Sequence, residues 1–449
     1  MSRRLYSKII SASLSVLLAS VAAFAQTTVS SAPYSCFGVG DIMTSGTAYT
    51  RSMGGVGVAL RDNLYLNTVN PASITERDSL SFMADFSVSA ANRYFRQSDA
   101  RSASNTFNIG DLAFSIPLWR HTAAMAGLEP YSGSAYAYSY SILDPEIIGN
   151  TGNISYTASG TGGLYKLYAA AAADLFKGLS LGLQFNYYFG QTTKSFYETF
   201  TNSSYNGAKN GYDISLNGIG GKIGLQYEFS AGPRSRIVAG ATVSTPVKLK
   251  GQIEGYKYST GTAAVDTLYH KVDTLWSAGS GPSLPWEYSF GLSYRYADKW
   301  MVELDYSRSD WRGTAMDSTP GLMGNLSSGQ NRSSFSATAM QSLRAGFEYT
   351  PNRYDARYFF KRCTYRGGAF YRDEYYKLDG HSVRAFGLSL GMTLPVFGGY
   401  NGRCPNGLTL GMEFGQKGSM ANGLIRERFI NFTVGINIFD IWFQKPRYE

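Results

Sequence analysis

The chain has 449 residues, with 41 Lys and Arg against 32 Asp and Glu, and it is rich in Gly (50), Tyr (34) and Phe (26), yet its mean hydropathy is only −0.19. Past residue 25 no stretch approaches the roughly 18 apolar residues of a membrane helix, since the longest candidate, 164–176, is interrupted by Lys166 and Asp174. The cations are scattered rather than massed, which argues against nucleic acid, and three isolated histidines (His121, His270, His381) with three cysteines at no ligand spacing argue against a metal centre.

Residues 1–25 read as a signal peptide: Arg3, Arg4 and Lys8 precede a short apolar core from Ile9 to Val21, and Ala23-Phe24-Ala25 forms a small-residue cleavage site. Export permits a disulfide between Cys363 and Cys404, although three reduced cysteines fit the sequence equally well. Residues 26–78 are rich in Gly, Ser and Thr and show no alternation.

From residue 79 to residue 449 a two-residue period takes over. In 179–189, Leu181, Leu183, Phe185 and Tyr187 share one face against Ser180, Gly182, Gln184 and Asn186. The same division recurs in 222–229, 288–296, 300–307, 343–349, 384–394 and 408–414, and in 429–439, where Phe432, Val434, Ile436 and Ile438 oppose Thr433, Gly435 and Asn437. Less regular segments at 80–96, 105–118, 121–140, 154–173, 196–215, 235–250 and 366–376 bring the expectation to about fourteen strands. An all-β chain with an apolar face on strand after strand is what a transmembrane antiparallel β-barrel requires. Trp119, Trp286, Trp300, Trp311 and Trp442 stand at strand ends, as interfacial girdles do. Counting strands from a periplasmic start makes 395–405 a periplasmic turn, and 251–285, 308–340 and 417–427 extracellular loops.

A barrel of this size with small polar residues inside leaves a lumen to fill, and residues 26–78 are available as an N-terminal hatch. Within them, Gly54-Gly55-Val56-Gly57-Val58-Ala59 precedes Asn70-Pro71-Ala72. Pro71 biases Asn70 away from helix and the Asn side chain can bond its own backbone, giving a rigid elbow; Gly54, Gly55 and Gly57 allow close approach to the wall. These two motifs, in this order ahead of a barrel, resemble the hatch of the FadL/TodX family of outer-membrane transporters, and a looser match covers 285–311.

The resemblance implies a passive channel for hydrophobic small molecules, long-chain fatty acid-like or aromatic, in the cell outer membrane of a two-membrane bacterium. Solute would bind between hatch and wall, gated by Gly54, Gly55, Gly57, Asn70, Pro71 and Ala72, with Val56, Val58, Leu60, Leu64 and Leu66 as candidate apolar lining. It would leave sideways where the third strand, 121–140, is kinked; Pro130 and Gly133 are the candidate kink. The family needs no cofactor or metal. Its partners are outer-membrane lipid, the hydrophobic solute and, during biogenesis, the barrel-assembly machinery; a monomer is expected. The chain departs from the family by running on past its last strand, 441–449, as Bacteroidetes-type members do. An alternative is a structural or secretion-accessory barrel that binds a protein partner. A polar porin conflicts with a packed hatch, and an enzyme would have to be built on His121, His270 or His381, of which Asp379-Gly380-His381-Ser382 is the most suggestive cluster.

Overall fold

The computed structural model describes residues 32–77, 81–119, 121–142, 144–260, 267–274, 281–297, 299–324, 334–355, 357–397 and 406–441. The expected signal peptide, Cys404, Trp442 and residues 442–449 of the C-terminal extension lie outside them.

A two-residue strand, β1 (Asp41–Ile42), precedes the wall. The wall begins with β2 (Ser81–Gln97) and β3 (Ala100–Trp119), then β4 (Thr122–Gly133) and β5 (Tyr136–Ile142), which share one position, then β6 (Ile154–Phe176), β7 (Leu179–Phe200) and β8 (Gly207–Gly232). It continues with β9 (Ser235–Ser244), followed by an excursion containing β10 (Val247–Lys248), β11 (Lys250–Thr260), β12 (Thr267–Thr274) and β13 (Ser283–Leu284). The remainder is β14 (Glu287–Tyr296), β15 (Trp300–Asp310), the short β16 (Phe335–Ala337), β17 (Ala339–Tyr349), β18 (Thr364–Leu378), β19 (His381–Phe397), β20 (Asn406–Lys417) and β21 (Arg426–Ile441). Because β21 pairs with β2 from Ile441 opposite Ser81 to Arg426 opposite Arg96, the sheet closes as an antiparallel barrel of fourteen strands. Closure has a physical cause: an open edge in lipid would leave a row of unpaired backbone groups at several kcal/mol each.

The faces follow the sequence alternation. On β21, Phe432, Val434, Ile436 and Ile438 are 36–45% exposed while Thr433 and Asn437 are buried. Strands β6, β7 and β8 run for 23, 22 and 26 residues, roughly twice what a tilted membrane strand needs, so their ends at the long loops stand well clear of the apolar band.

Several segments differ from expectation: 121–140 is divided into β4 and β5, 235–250 spans β9, β10 and the start of β11, and 308–340, read as loop, holds the end of β15, all of β16 and the start of β17. The stretch 196–215 is not one strand: a turn at 201–206 divides it between the end of β7 and the start of β8, because its polar and aromatic residues carry no consistent face. Within 251–285, read as loop, β11 extends the sheet by pairing with the long-loop end of β8 and folds back as β12.

The N-terminal segment supplies much of the buried core. Towards the short-turn end, Tyr49, Met53, Val56, Leu60, Leu64, Tyr65 and Leu66 pack on Met125, Tyr168, Met301 and Phe439 of the wall. Towards the long-loop end, Tyr34, Phe37 and Val39 pack with Trp311, Tyr375 and Tyr376. Leu60, Leu64 and Leu66 are therefore packing residues.

Candidate functional site

Asn70 caps a short 3-10 helix, Pro71–Thr75, by accepting the Ala72 N–H at 3.0 Å, and its amide donates to Val58 O at 2.7 Å and to Leu225 O on β8 at 3.2 Å. The elbow lies hard against the wall. A Cβ built on Gly224 would fall 2.1 Å from Asn70 Oδ1, and one on Gly182 would fall 2.4 Å from the Pro71 carbonyl carbon. Similar contacts face Gly240, Gly368 and Gly391, where a Cβ would meet Val58, Gly54 and Ser52. The inward glycines are thus a belt of space in which the N-terminal backbone lies.

The backbone at 54–60 has no strand partner, so its polar groups are satisfied by wall side chains. Gly54 N–H donates to Ser389 Oγ at 2.6 Å, Gly57 and Val58 N–H donate to Asp305 Oδ2 at 2.7 and 3.0 Å, and Ala59 N–H donates to Glu303 Oε1 at 2.8 Å. Gln226 Nε2 donates to the carbonyls of Val58 and Leu60, and Arg344 Nη1 to that of Gly55. Gly54 and Gly55 both have positive φ, 74° and 77°, which turns these amides outward at little conformational cost.

Ion pairs fix the segment at three heights. Arg61 reaches Glu76 (3.0 Å), Asp174 (3.3 Å) and Glu228 (3.7 Å). Asp62 pairs with Arg295 at 2.9 Å; Arg295 and Arg366 share Glu348, and Arg366 stacks 4.0 Å over the Tyr49 ring. Asp41 pairs with Lys417, which also meets Glu374 at 3.6 Å. Burial opposes charge on Asp41, but the Lys417 ammonium, with Arg93 and Arg372 nearby, holds the carboxyl below its ordinary value.

Beside this lies a break in the wall. Strand β3 pairs with β4 only from Leu112 opposite Leu128 to Trp119 opposite Thr122; towards the long loops its ladder is with β2 alone. Strand β4 shifts register against β6 between Pro130 and Ser132, and the chain then leaves the ladder before resuming as β5, which pairs with β6 only. The N-terminal segment occupies the edge so released. Asp41 and Ile42 pair with Gly133 and Ser132, Met43 N–H donates to Tyr131 O at 2.9 Å, and Ala32 N–H donates to Ala135 O at 3.0 Å. Pro130 and Gly133 are therefore brought to the break itself, and Gly54, Gly55, Gly57, Asn70, Pro71 and Ala72 to the lumen below it. Asp305, Glu303, Gln226 and Ser389, which hold the segment, were legible only as inward-facing polar residues; two carboxylates two residues apart on one inner face, Glu303 and Asp305, were the available signal.

What remains open beside the break is small, with charged side chains interleaved with apolar ones, among them Met43, Ile109, Phe370, Met412 and Phe429. A cavity of about 150 Å³ beside the break is lined by Asp41, Arg51, Arg93, Arg372, Glu413, Lys417 and Glu427 among others, and another of about 80 Å³ lies near Arg344 and Asp305. His121 is 75% exposed and 3.8 Å from Asp174, His381 meets Asn422, and the Asp379 carboxylate accepts from Ser334. Cys363 is buried and its thiol donates to Phe359 O. Among the described residues, no three His, Cys, Asp or Glu side chains gather to hold a metal.

The family model described as BamG matches residues 6–449. No curated protein matches the chain. Among solved structures, the chain is similar to the CymD monoaromatic hydrocarbon channel (TM-score 0.56, 13% identity, covering 88% of this chain and 97% of that one). It is similar also to the Ralstonia pickettii toluene transporter TbuX (0.54, 15%, 88% and 98%) and to a Pseudomonas aeruginosa FadL homologue (0.54, 10%, 89% and 100%). At such identities the likeness is one of fold.

Proposed function

The chain belongs to the BamG family, and from that premise we propose that it is an outer-membrane barrel acting as an accessory, partner-binding subunit of the barrel-assembly machinery to which the family's name points. The long-loop end faces outward and the short-turn end faces the periplasm. Residues 26–78 are a hatch that locks the lumen. The observation that carries this reading is the size of the space beside the break: about 150 Å³, where seven charged side chains interleave with apolar ones such as Met43, Ile109, Phe370 and Phe429. A pocket for a small organic molecule ordinarily measures about 300–1,000 Å³, and this one is well below that range.

A second reading has its own support. The break between β3 and β4 beside Pro130 and Gly133, on a fold shared with hydrocarbon channels, favours passive passage of a hydrophobic solute released sideways to the bilayer. On this reading the hatch must shift to enlarge the space beside Met43 and Ile109.

Affinity purification of the tagged chain from cross-linked native membranes separates the two. Stoichiometric recovery of assembly-machinery subunits, with depletion of folded outer-membrane barrels in a deletion strain, is expected. Recovery of the chain alone, together with loss of labelled decanoate or toluene uptake on deletion, would overturn the accessory reading in favour of the channel.

A further inference from the structure

Four connections at the short-turn end are minimal: β3 to β4, β6 to β7, β8 to β9 and β14 to β15 are joined by two or three residues each. Between β17 and β18 the chain runs instead through residues 350–363. This longer connection is internally bonded. Thr350 N–H donates to Lys299 O at 2.7 Å and Asn352 N–H to Lys361 O at 2.9 Å, while the Asp355 carboxylate accepts the N–H groups of Arg357 and Tyr358 at 2.9 and 2.7 Å. The bonds lead into a single helical turn, Phe359–Arg362.

The outer face of the barrel holds that turn in place, because the Tyr365 hydroxyl donates to Phe360 O at 3.0 Å. Tyr365 stands in a cross-strand row with Trp300, Tyr349 and Met392, and partners in such a row share a face. It is the lipid-facing one, since Tyr349, Phe347 two residues before it, and Leu390 two residues before Met392 are all exposed. The helical turn therefore sits on the outer rim, level with an aromatic girdle. Its side chains combine two chemistries. Tyr354 and Phe360 are 72% and 68% exposed, and Tyr358 and Phe359 are exposed beside them. Arg357, Lys361 and Arg362 are exposed too; the Lys361 ammonium lies 4.5 Å from the centre of the Tyr358 ring, and the Arg362 guanidinium 5.4 Å from that of Phe359. Asp355 is the one carboxylate between residues 350 and 363; it serves the backbone and reaches Lys361 only at 3.7 Å. Among the described residues, Arg357 and Arg362 have no ion-pair partner.

From this arrangement we propose that residues 354–362 bind anionic phospholipid in the leaflet at the short-turn end. Phe360, Phe359 and Tyr358 enter the layer between acyl chains and headgroups, and Arg357, Lys361 and Arg362 hold the phosphodiesters around them. A guanidinium meets a phosphate with two parallel N–H groups, and rings interleaved with cations suit the boundary between oil and water better than either alone. An acidic soluble partner could satisfy the cations. It would leave unexplained why the Phe360 backbone is fixed to a tyrosine of the lipid-facing row. The site serves either functional reading, since both place the barrel in the same bilayer.

Native mass spectrometry of the membrane-purified chain, supplied with dioleoyl phosphatidylglycerol and dioleoyl phosphatidylcholine at equal concentration, tests it. Retention of the phosphatidylglycerol at least fivefold over the phosphatidylcholine is expected. Arg357→Gln, Lys361→Gln and Arg362→Gln together should bring that ratio close to one, and Phe360→Ser should weaken retention at least threefold, with the barrel's heat-modifiable migration intact in both. Arg96→Gln with Arg101→Gln, at the opposite end, should leave the ratio unchanged. In the parent protein, hydrogen exchange over 357–363 should slow at least threefold in nanodiscs containing phosphatidylglycerol relative to phosphatidylcholine alone. Equal retention of the two lipids, a preference that survives the triple substitution, exchange indifferent to the lipid, or equally tight binding of soluble glycerophosphoglycerol, which has no acyl chains, would each overturn the proposal. Capture of a soluble periplasmic protein through 354–362 with the lipid ratio unaffected by the triple substitution would also overturn it, and would assign the surface to a protein.

Discussion

Asp305 is the clearest single residue in the lumen, because one carboxylate oxygen accepts two consecutive backbone N–H groups, those of Gly57 and Val58. Asp305→Ala leaves both donors buried without acceptors, at about 1–3 kcal/mol each. Hydrogen exchange at these two amides should quicken at least tenfold while exchange in β21 stays unchanged; unaltered exchange would show that the bonds hold nothing. Asp41 sets a pH dependence. Its folded carboxyl lies below its ordinary value, so its contribution to stability is complete above the unfolded value, about 4, and is lost as pH falls through the lower folded one. Protection of the amides around 38–44, taken relative to their intrinsic exchange rates at each pH, should accordingly be flat from pH 7 to about 4 and fall only below it. Of these residues, Asp305 was readable as inward-facing from alternation, but its acceptor role was not, since nothing local says which backbone will arrive opposite it.

Strands β4 and β5 with the short β1 form the unit on which the two functional readings diverge. The register shift at Pro130 has a local cause, because proline lacks the ladder N–H and is tolerated at edges and bulges. That β1 covers the edge thus exposed is non-local: Met43 and Tyr131 are 88 residues apart, and the bond between them is 2.9 Å. Met43→Pro removes this donor and should detach β1 from the edge. In planar bilayers the variant is expected to show flickering openings absent from the parent protein, while β3 and β6 keep their exchange protection. A variant as silent as the parent would mean that β1 does not seal the break.

The whole molecule combines a wall fixed by pairing with a segment fixed by side chains, and the two can be separated. If residues 26–78 are the hatch, their deletion should leave a folded, heat-modifiable barrel that conducts steadily; unchanged conductance would rule out a plug. By itself the sequence determined the wall. Alternation over some ten residues per strand decides which face meets lipid, and the demand that every backbone group in lipid be paired leaves closure as the outcome. It showed also that the N-terminal residues, lacking alternation, stand apart from that wall, and that Asn70-Pro71-Ala72 makes an elbow. Only the tertiary structure decided where the elbow sits, against Gly182 and Gly224, which wall groups hold the backbone at 54–60, and that the space left beside it is charged. Those are contacts between positions more than a hundred residues apart, set by strand register around the whole circumference, and a two-residue period carries no information about register between distant strands.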